Sequence, residues 1–135
     1  MSDRIEGGCL CGKVRFTVEN RFEQLYLCHC SQCRKITGSA YASILLSQPD
    51  RLEWLAGEDN INRFEYPGRN FTKAFCRDCG SGVPYLNQPG TALIVPAGAF
   101  DDAPHTDGQA NTISAVRPQW GAPGPAADAF AGAPG

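Results

Sequence analysis

Seven cysteines fall in three tight clusters: Cys9-Leu10-Cys11, Cys28-His29-Cys30-Ser31-Gln32-Cys33 and Cys76-Arg77-Asp78-Cys79. An odd number cannot all pair as disulfides within one chain, and thiols serving only as small core hydrophobes would not cluster this way. The N-terminus, Met1-Ser2-Asp3-Arg4-Ile5-Glu6, lacks the apolar run of a secretory signal. The expectation is therefore a cytoplasmic protein, in which thiols stay reduced and close cysteine patterns mean metal or catalysis rather than disulfides.

The spacing has geometric content. On a strand, residues i and i+2 point to the same face, so each Cys-x-Cys can offer two sulfurs to one ion. Cys76-Arg77-Asp78-Cys79 followed by Gly80 has the form of a zinc knuckle, with the glycine free to take positive φ. Tetrahedral zinc needs sulfurs at about 2.3 Å, and structural sites are filled by four protein ligands. Spacing leaves two divisions open. Cys9, Cys11, Cys76 and Cys79 could close one site and leave Cys28, Cys30 and Cys33 as a three-thiolate site with an open position. Alternatively, the middle cluster could pair with one outer cluster and leave the other unbound. The first division uses every cysteine and separates a closed structural site from an open catalytic one. A redox dithiol would call for a βαβ setting that this chain lacks, whereas an iron–sulfur centre is open to the same thiolates.

The rest of the chain reads as mainly β. Val14, Phe16 and Val18 alternate with Lys13, Arg15, Thr17 and Glu19, the pattern of a half-buried strand. Further strands are expected over 40–46, 52–55, 61–66, 72–75, 91–95 and 112–116, separated by turn signals such as Gln48-Pro49-Asp50, Pro67-Gly68 and Asn87-Gln88-Pro89-Gly90. One short helix is expected over Gln32–Ile36, capped by Ser31 and ended by Thr37-Gly38. With 15 Gly and 10 Pro the core will be thin, and the fold class that results is several short coiled antiparallel β-sheets stapled by zinc. Residues 1–120 form one domain. Residues 121–135 are nearly all Gly, Pro and Ala, a tail with Phe130 as its one docking anchor. A net charge of −2 excludes a generally basic nucleic-acid binder. No segment approaches the ~20 apolar residues of a membrane span. A thin domain of this kind is suited to pairing with a second copy through a sheet edge, as a homodimer.

With these residues in hand, the chain resembles the glutathione-dependent formaldehyde-activating enzyme family, which also includes the centromere protein V domain. The resemblance runs through Gly8-Cys9-Leu10-Cys11-Gly12-Lys13-Val14-Arg15-Phe16, then Cys28 to Gly38, then Phe75-Cys76-Arg77-Asp78-Cys79-Gly80-Ser81. It continues more loosely at Ala97-Gly98-Ala99-Phe100-Asp101-Asp102 and Arg117-Pro118-Gln119-Trp120. It implies two zinc ions per chain, a structural one on Cys9, Cys11, Cys76 and Cys79 and a catalytic one on Cys28, Cys30 and Cys33. It also implies the family's named reaction, which joins glutathione and formaldehyde into S-hydroxymethylglutathione and is classed with carbon–sulfur lyases. A substrate thiol, or a thiol–aldehyde adduct, would enter the open position of the three-cysteine site, where a coordinating thiol loses its proton.

Other residues take bland or sharp readings beside this one. Arg34 and Lys35 follow the last ligand of the open site and are candidates to receive a substrate carboxylate. His29 lies between two ligands and is expected to face away from them as a structural residue; His105 sits in a polar, exposed loop. Phe64, Tyr66, Phe71 and Phe75 are expected in the core. The rival to an enzyme is a non-catalytic zinc-stabilised binding module. Against it, no Asp or Glu lies between Gln24 and Asp50 to complete the middle cluster.

Overall fold

Period-two alternation becomes ten short strands among the residues described by the computed structural model, 3–112 and Trp120. They are β1 (Arg4–Gly8), β2 (Arg15–Glu19), β3 (Gln24–Cys28), β4 (Ala42–Ser47), β5 (Leu52–Ala56), β6 (Ile61–Glu65), β7 (Thr72–Cys76), β8 (Tyr85–Leu86), β9 (Leu93–Pro96) and β10 (Gln109–Thr112). The one α-helix among them, α1, spans Ser31–Thr37, and its C-terminal Gly38 takes φ 66°, as a glycine after a helix can. No helix among these residues is long and apolar enough to cross a membrane.

The strands assemble into three small sheets, ordered β1-β2-β5, β10-β3-β4-β9-β8 and β6-β7. All pairings are antiparallel except β10 against β3, which is parallel, with Thr112 opposite Cys28. The first two sheets meet in one core of Ile5, Phe16, Val18, Phe22, Leu45, Leu93, Val95 and Phe100. Phe16 organises it: fully buried, it makes edge-on ring contacts with Trp54 and Phe100 at 6.1 and 5.6 Å. Thr17 turns inward on the same strand, and its hydroxyl donates to the Ile5 carbonyl at 3.1 Å, so its burial leaves no orphan. A second, smaller core consists of Cys9, Val14, Ala74, Cys76 and Val83.

Six of the expected strands correspond to β2, β4, β5, β6, β7 and β9 within a few residues. Three strands were not foreseen. Arg4–Gly8 carries a single core residue, Ile5, and becomes β1 because β2 pairs with all five of its positions. Its Gly7 is required by packing, since a Cβ there would lie 2.4 Å from the Ala99 carbonyl oxygen. The others are β3 and the two-residue β8. Of the strand expected over 112–116, only Thr112 is in β10; the remainder, like the tail 121–135 with Phe130, lies outside the described residues. None of the four aromatics expected in the core is among its members; Phe71 and Phe75 are half-buried outside both clusters. Phe64 and Tyr66 are exposed and pack edge-on against each other, because among the described residues no layer covers that face of the two-stranded β6–β7 ribbon.

Truncating Phe16 to Ala removes the ring both neighbours lean on and is expected to cost about 3–5 kcal/mol. Denaturant unfolding of the metal-loaded protein measures it, and a loss below about 1 kcal/mol would contradict this view of the core.

Candidate metal centres

The first centre joins two loops far apart in sequence. Cys9 follows β1, and a tight turn closes behind it, with Gly12 N–H donating to the Cys9 carbonyl and Cys9 N–H to that of Val14. Cys76 ends β7, and Gly80, at φ 77°, carries the chain round so that its N–H meets the Cys76 carbonyl at 2.9 Å. This turn brings Cys79 back toward Cys76, and β1–β2 delivers Cys9 and Cys11 to the same point. The four sulfurs lie within 4.8 Å of one another. Cys9 and Cys11 are 3.5 Å apart, and Cys11 is 3.8 Å from Cys76 although 65 residues separate them. Sulfurs at about 2.3 Å from a tetrahedral ion stand about 3.8 Å apart, so the arrangement fits a four-thiolate metal site.

Backbone and side-chain N–H groups converge on these sulfurs. Val14 N–H donates to Cys9 Sγ at 3.3 Å and the Asn60 amide to Cys76 Sγ at 3.5 Å. Ser81 accepts from Leu10 N–H, which leaves its hydroxyl, 3.3 Å from Cys79 Sγ, to donate to a thiolate. That hydroxyl, with help from the Cys11 backbone, brings the Cys79 thiol down to about 5. Cys11 moves the other way, up to about 11: the Lys13 backbone favours its thiolate, but desolvation and the sulfurs around it outweigh this. Four crowded thiols cannot all ionise unaided, and a bound cation reverses that balance. Lys13 and Asp78 form an exposed 2.7 Å ion pair across the two loops, and Asn60 donates to the same carboxylate at 2.9 Å.

The second centre is built at the start of α1. Cys28 is the last residue of β3, Cys30 is the N-cap of α1, and Cys33 is buried in its first turn. Here the expected Ser31 cap is corrected: the cap is Cys30, whose Sγ accepts from Cys33 N–H at 3.4 Å. A sulfur that must face its partners is thereby held in place by a helix donor that would otherwise lack one. The three sulfurs again lie within 4.8 Å, with Cys28 and Cys30 3.6 Å apart. Among the described residues no His, Asp or Glu joins them. His29 is buried apart from the cluster, against Tyr41 with ring centroids 5.1 Å apart. Burial, and then the sulfurs of Cys28 and Cys30, push the Cys33 thiol well above the usual thiol range.

Cys33 also borders a cavity of about 500 Å³ between α1, β4, β7 and β9. Its wall includes Tyr41, Ile44, Phe71 and Ile94, with Lys73 and Tyr85 among its polar members. Burial, and then the charge of Cys33, raise the Tyr85 phenol to about 12, so it stays protonated at ordinary pH. Burial lowers the Lys73 ammonium, against the opposing pull of Cys33.

The sequence profile of the glutathione-dependent formaldehyde-activating enzymes matches residues 4–115, which hold all seven cysteines. The chain belongs to this family. A Halomonas elongata protein that carries the provisional name of glutathione-dependent formaldehyde-activating enzyme is 30% identical over 126 residues, covering 86% of this chain and 78% of its own. The crystal structure of a Rhodobacter sphaeroides protein shares the fold, with a TM-score of 0.61 at 20% identity, over 78% of this chain and 100% of its own.

In this member of the formaldehyde-activating family, the basic pair proposed to receive substrate is elsewhere. Arg34 and Lys35 line a shallow depression with Ser31, Gly38, Ser39 and Trp120, not the cavity beside Cys33. Strand β7 supplies the cavity's cation instead. Sequence reasoning did not single out Lys73 or Tyr85, because neither lies near the middle cysteines in the chain.

The opposite environments of Cys79 and Cys33 predict a reactivity order for the metal-free protein. Above about pH 6, alkylation followed by peptide mapping should find Cys79 modified first and Cys33 last. Ser81→Ala should move the onset for Cys79 to higher pH. Equal rates at the two cysteines would contradict the assignment.

Proposed function

We propose that this chain is a zinc enzyme of carbon–sulfur lyase type, acting on a small-molecule thiol or a thiol–aldehyde adduct as in glutathione and formaldehyde chemistry. Cys9, Cys11, Cys76 and Cys79 hold a structural zinc; Cys28, Cys30 and Cys33 hold a catalytic one. The observation that carries this reading is the contrast between the clusters: one has four sulfurs, while the other has three with no further His, Asp or Glu among the described residues, and one of them, Cys33, borders a cavity. Zinc bound by three thiolates supplies an open coordination position and the positive charge that favours the ionised form of a thiol.

The chain's own residues do the rest. The Cys33 N–H fixes the direction of Cys30 Sγ, and β3 sets Cys28 beside it. The apolar wall of Tyr41, Ile44, Phe71 and Ile94 excludes water from the reacting thiol and carbonyl. In the overall reaction a sulfur–carbon bond forms and the thiol proton passes to the aldehyde oxygen, so neither oxidant nor reductant is consumed.

Metal analysis of the purified protein should give two zincs per chain, and Cys30→Ser should lower this to about one with the fold retained, because serine is itself a good helix N-cap. A single zinc whose loss unfolds the chain would contradict the division. In cobalt-substituted protein a small thiol should change the thiolate-to-metal absorption; no change with any thiol would contradict the open position.

A further inference from the structure

The five-stranded sheet turns one continuous patch toward the cavity beside Cys33. Tyr85 lies directly opposite Ile94 across β8 and β9, and Ile44 lies opposite Pro96 across β4 and β9. Side chains directly opposite, or two apart along a strand, share a face. Tyr85, Ile94, Pro96 and Ile44 therefore stand on one face, and all four line the cavity. Cys28 belongs to that face as well, because it pairs with Ala42, two residues before Ile44. Helix α1, packed against β4, brings Cys33 to the same space. The Tyr85 phenol is thus a polar group set among apolar side chains, on the sheet face that carries a ligand of the three-cysteine site. Two other polar members of the wall are committed elsewhere. Thr37 Oγ1 donates to the Cys33 carbonyl and accepts from Ser39 N–H, while Asn87 holds Thr91 and Ala92. Tyr85 also borders a second cavity, beside Trp54 and Arg63. Burial, and then the charge of Cys33, keep the phenol protonated, with the charge of Arg63 as a smaller opposing influence.

We propose that the Tyr85 hydroxyl is the hydrogen-bond donor to the aldehyde oxygen, and so a further catalytic residue of the reaction proposed above. This role rests on that function. When the thiol sulfur attacks the carbonyl carbon, the sulfur–carbon bond forms and the electron pair of the C=O π bond moves to oxygen. That charge develops near three cysteine thiolates and the substrate's own sulfur, whose negative charges outnumber the two positive charges of a zinc ion. It is best met by a donor held apart from the sulfurs, and Tyr85 reaches the cavity from β8 rather than from the cysteine-bearing elements. Its ring, beside Ile94, holds the hydroxyl in place before the substrate arrives. The phenol proton passes to the aldehyde oxygen, and the proton given up by the thiol restores the phenol. The product is the S-hydroxymethyl compound, and nothing is oxidised or reduced overall.

Tyr85→Phe tests this, because it removes one oxygen and keeps the ring. With the zinc-loaded protein, exchange NMR using isotope-labelled formaldehyde and glutathione reads the rate of adduct formation above the uncatalysed rate. Tyr85→Phe should lower kcat about a hundredfold and change the KM for the thiol by less than about twofold. Wild-type turnover in Tyr85→Phe, or a loss confined to KM, would overturn the role and leave the function proposed above standing. A wild-type protein without acceleration would overturn that function, and this role with it. Binding gives a second readout that needs no turnover. Thioacetate carries an oxygen on the carbon beside its sulfur, as the adduct does, whereas ethanethiol has the same skeleton without that oxygen. In cobalt-substituted protein, followed by thiolate-to-metal absorption, Tyr85→Phe should weaken thioacetate binding about tenfold and leave ethanethiol binding unchanged. Equal effects on the two ligands, or none on thioacetate, would overturn the donor.

Discussion

Four sulfurs from opposite parts of the chain meet within 4.8 Å, and much of the fold is arranged around that meeting. Cys11 and Cys76 close a loop of 65 residues. The smaller core is built directly on the ligands, since Cys9 and Cys76 are two of its five buried members. The β6–β7 ribbon is a two-stranded sheet with an exposed face, a structure marginal in water by itself. It is anchored where Cys76 ends β7 and where Asn60, just before β6, donates to Cys76 Sγ. Structural zinc in small peptides is worth about 10–16 kcal/mol of apparent binding energy, which becomes folding energy where no site preforms. A domain with 15 glycines and 10 prolines has a thin apolar core, and such an ion, held as proposed on the four cysteines, would offset much of the deficit.

The two clusters differ in what surrounds them, and the proposed division of labour follows from that difference. Around the four-cysteine cluster, turns and N–H donors close in from both loops, and an ion pair spans the outside. The three-cysteine cluster has a helix N-terminus on one side and an apolar cavity on the other. Low dielectric in such a space strengthens every charge left in it, whether the sulfurs' or that of Lys73. The proposed chemistry of a thiol at the three cysteines is served by keeping water out.

The cysteines were the most legible part of the sequence. Two-residue spacing on an extended backbone holds at Cys28 and Cys30, and the glycine after Cys79 turns the chain as expected, whereas Cys9 and Cys11 meet across a tight turn beyond β1 instead of along a strand. Strands with clear alternation, such as β2, were equally readable. Ser31 misled because serine is the usual N-cap, whereas here a sulfur already required to face its partners takes the same N–H. Strand β1 was illegible because pairing with β2 and the close approach at Gly7, not apolar content, make it a strand. The cavity was beyond the sequence for a different reason. Cys33, Lys73 and Tyr85 are brought to one space by sheet topology alone, while Arg34 and Lys35, adjacent to Cys33 in the chain, face a different depression.

The central claim is that one metal site is complete and the other lacks a single protein ligand. X-ray absorption at the zinc edge of the loaded protein measures this directly. The account predicts seven sulfurs at about 2.3 Å shared over two zinc ions, with one lighter atom completing the second shell, and an eighth sulfur when a substrate thiol is added. Eight sulfurs before any thiol is added, or a count unchanged by saturating thiol, would contradict it.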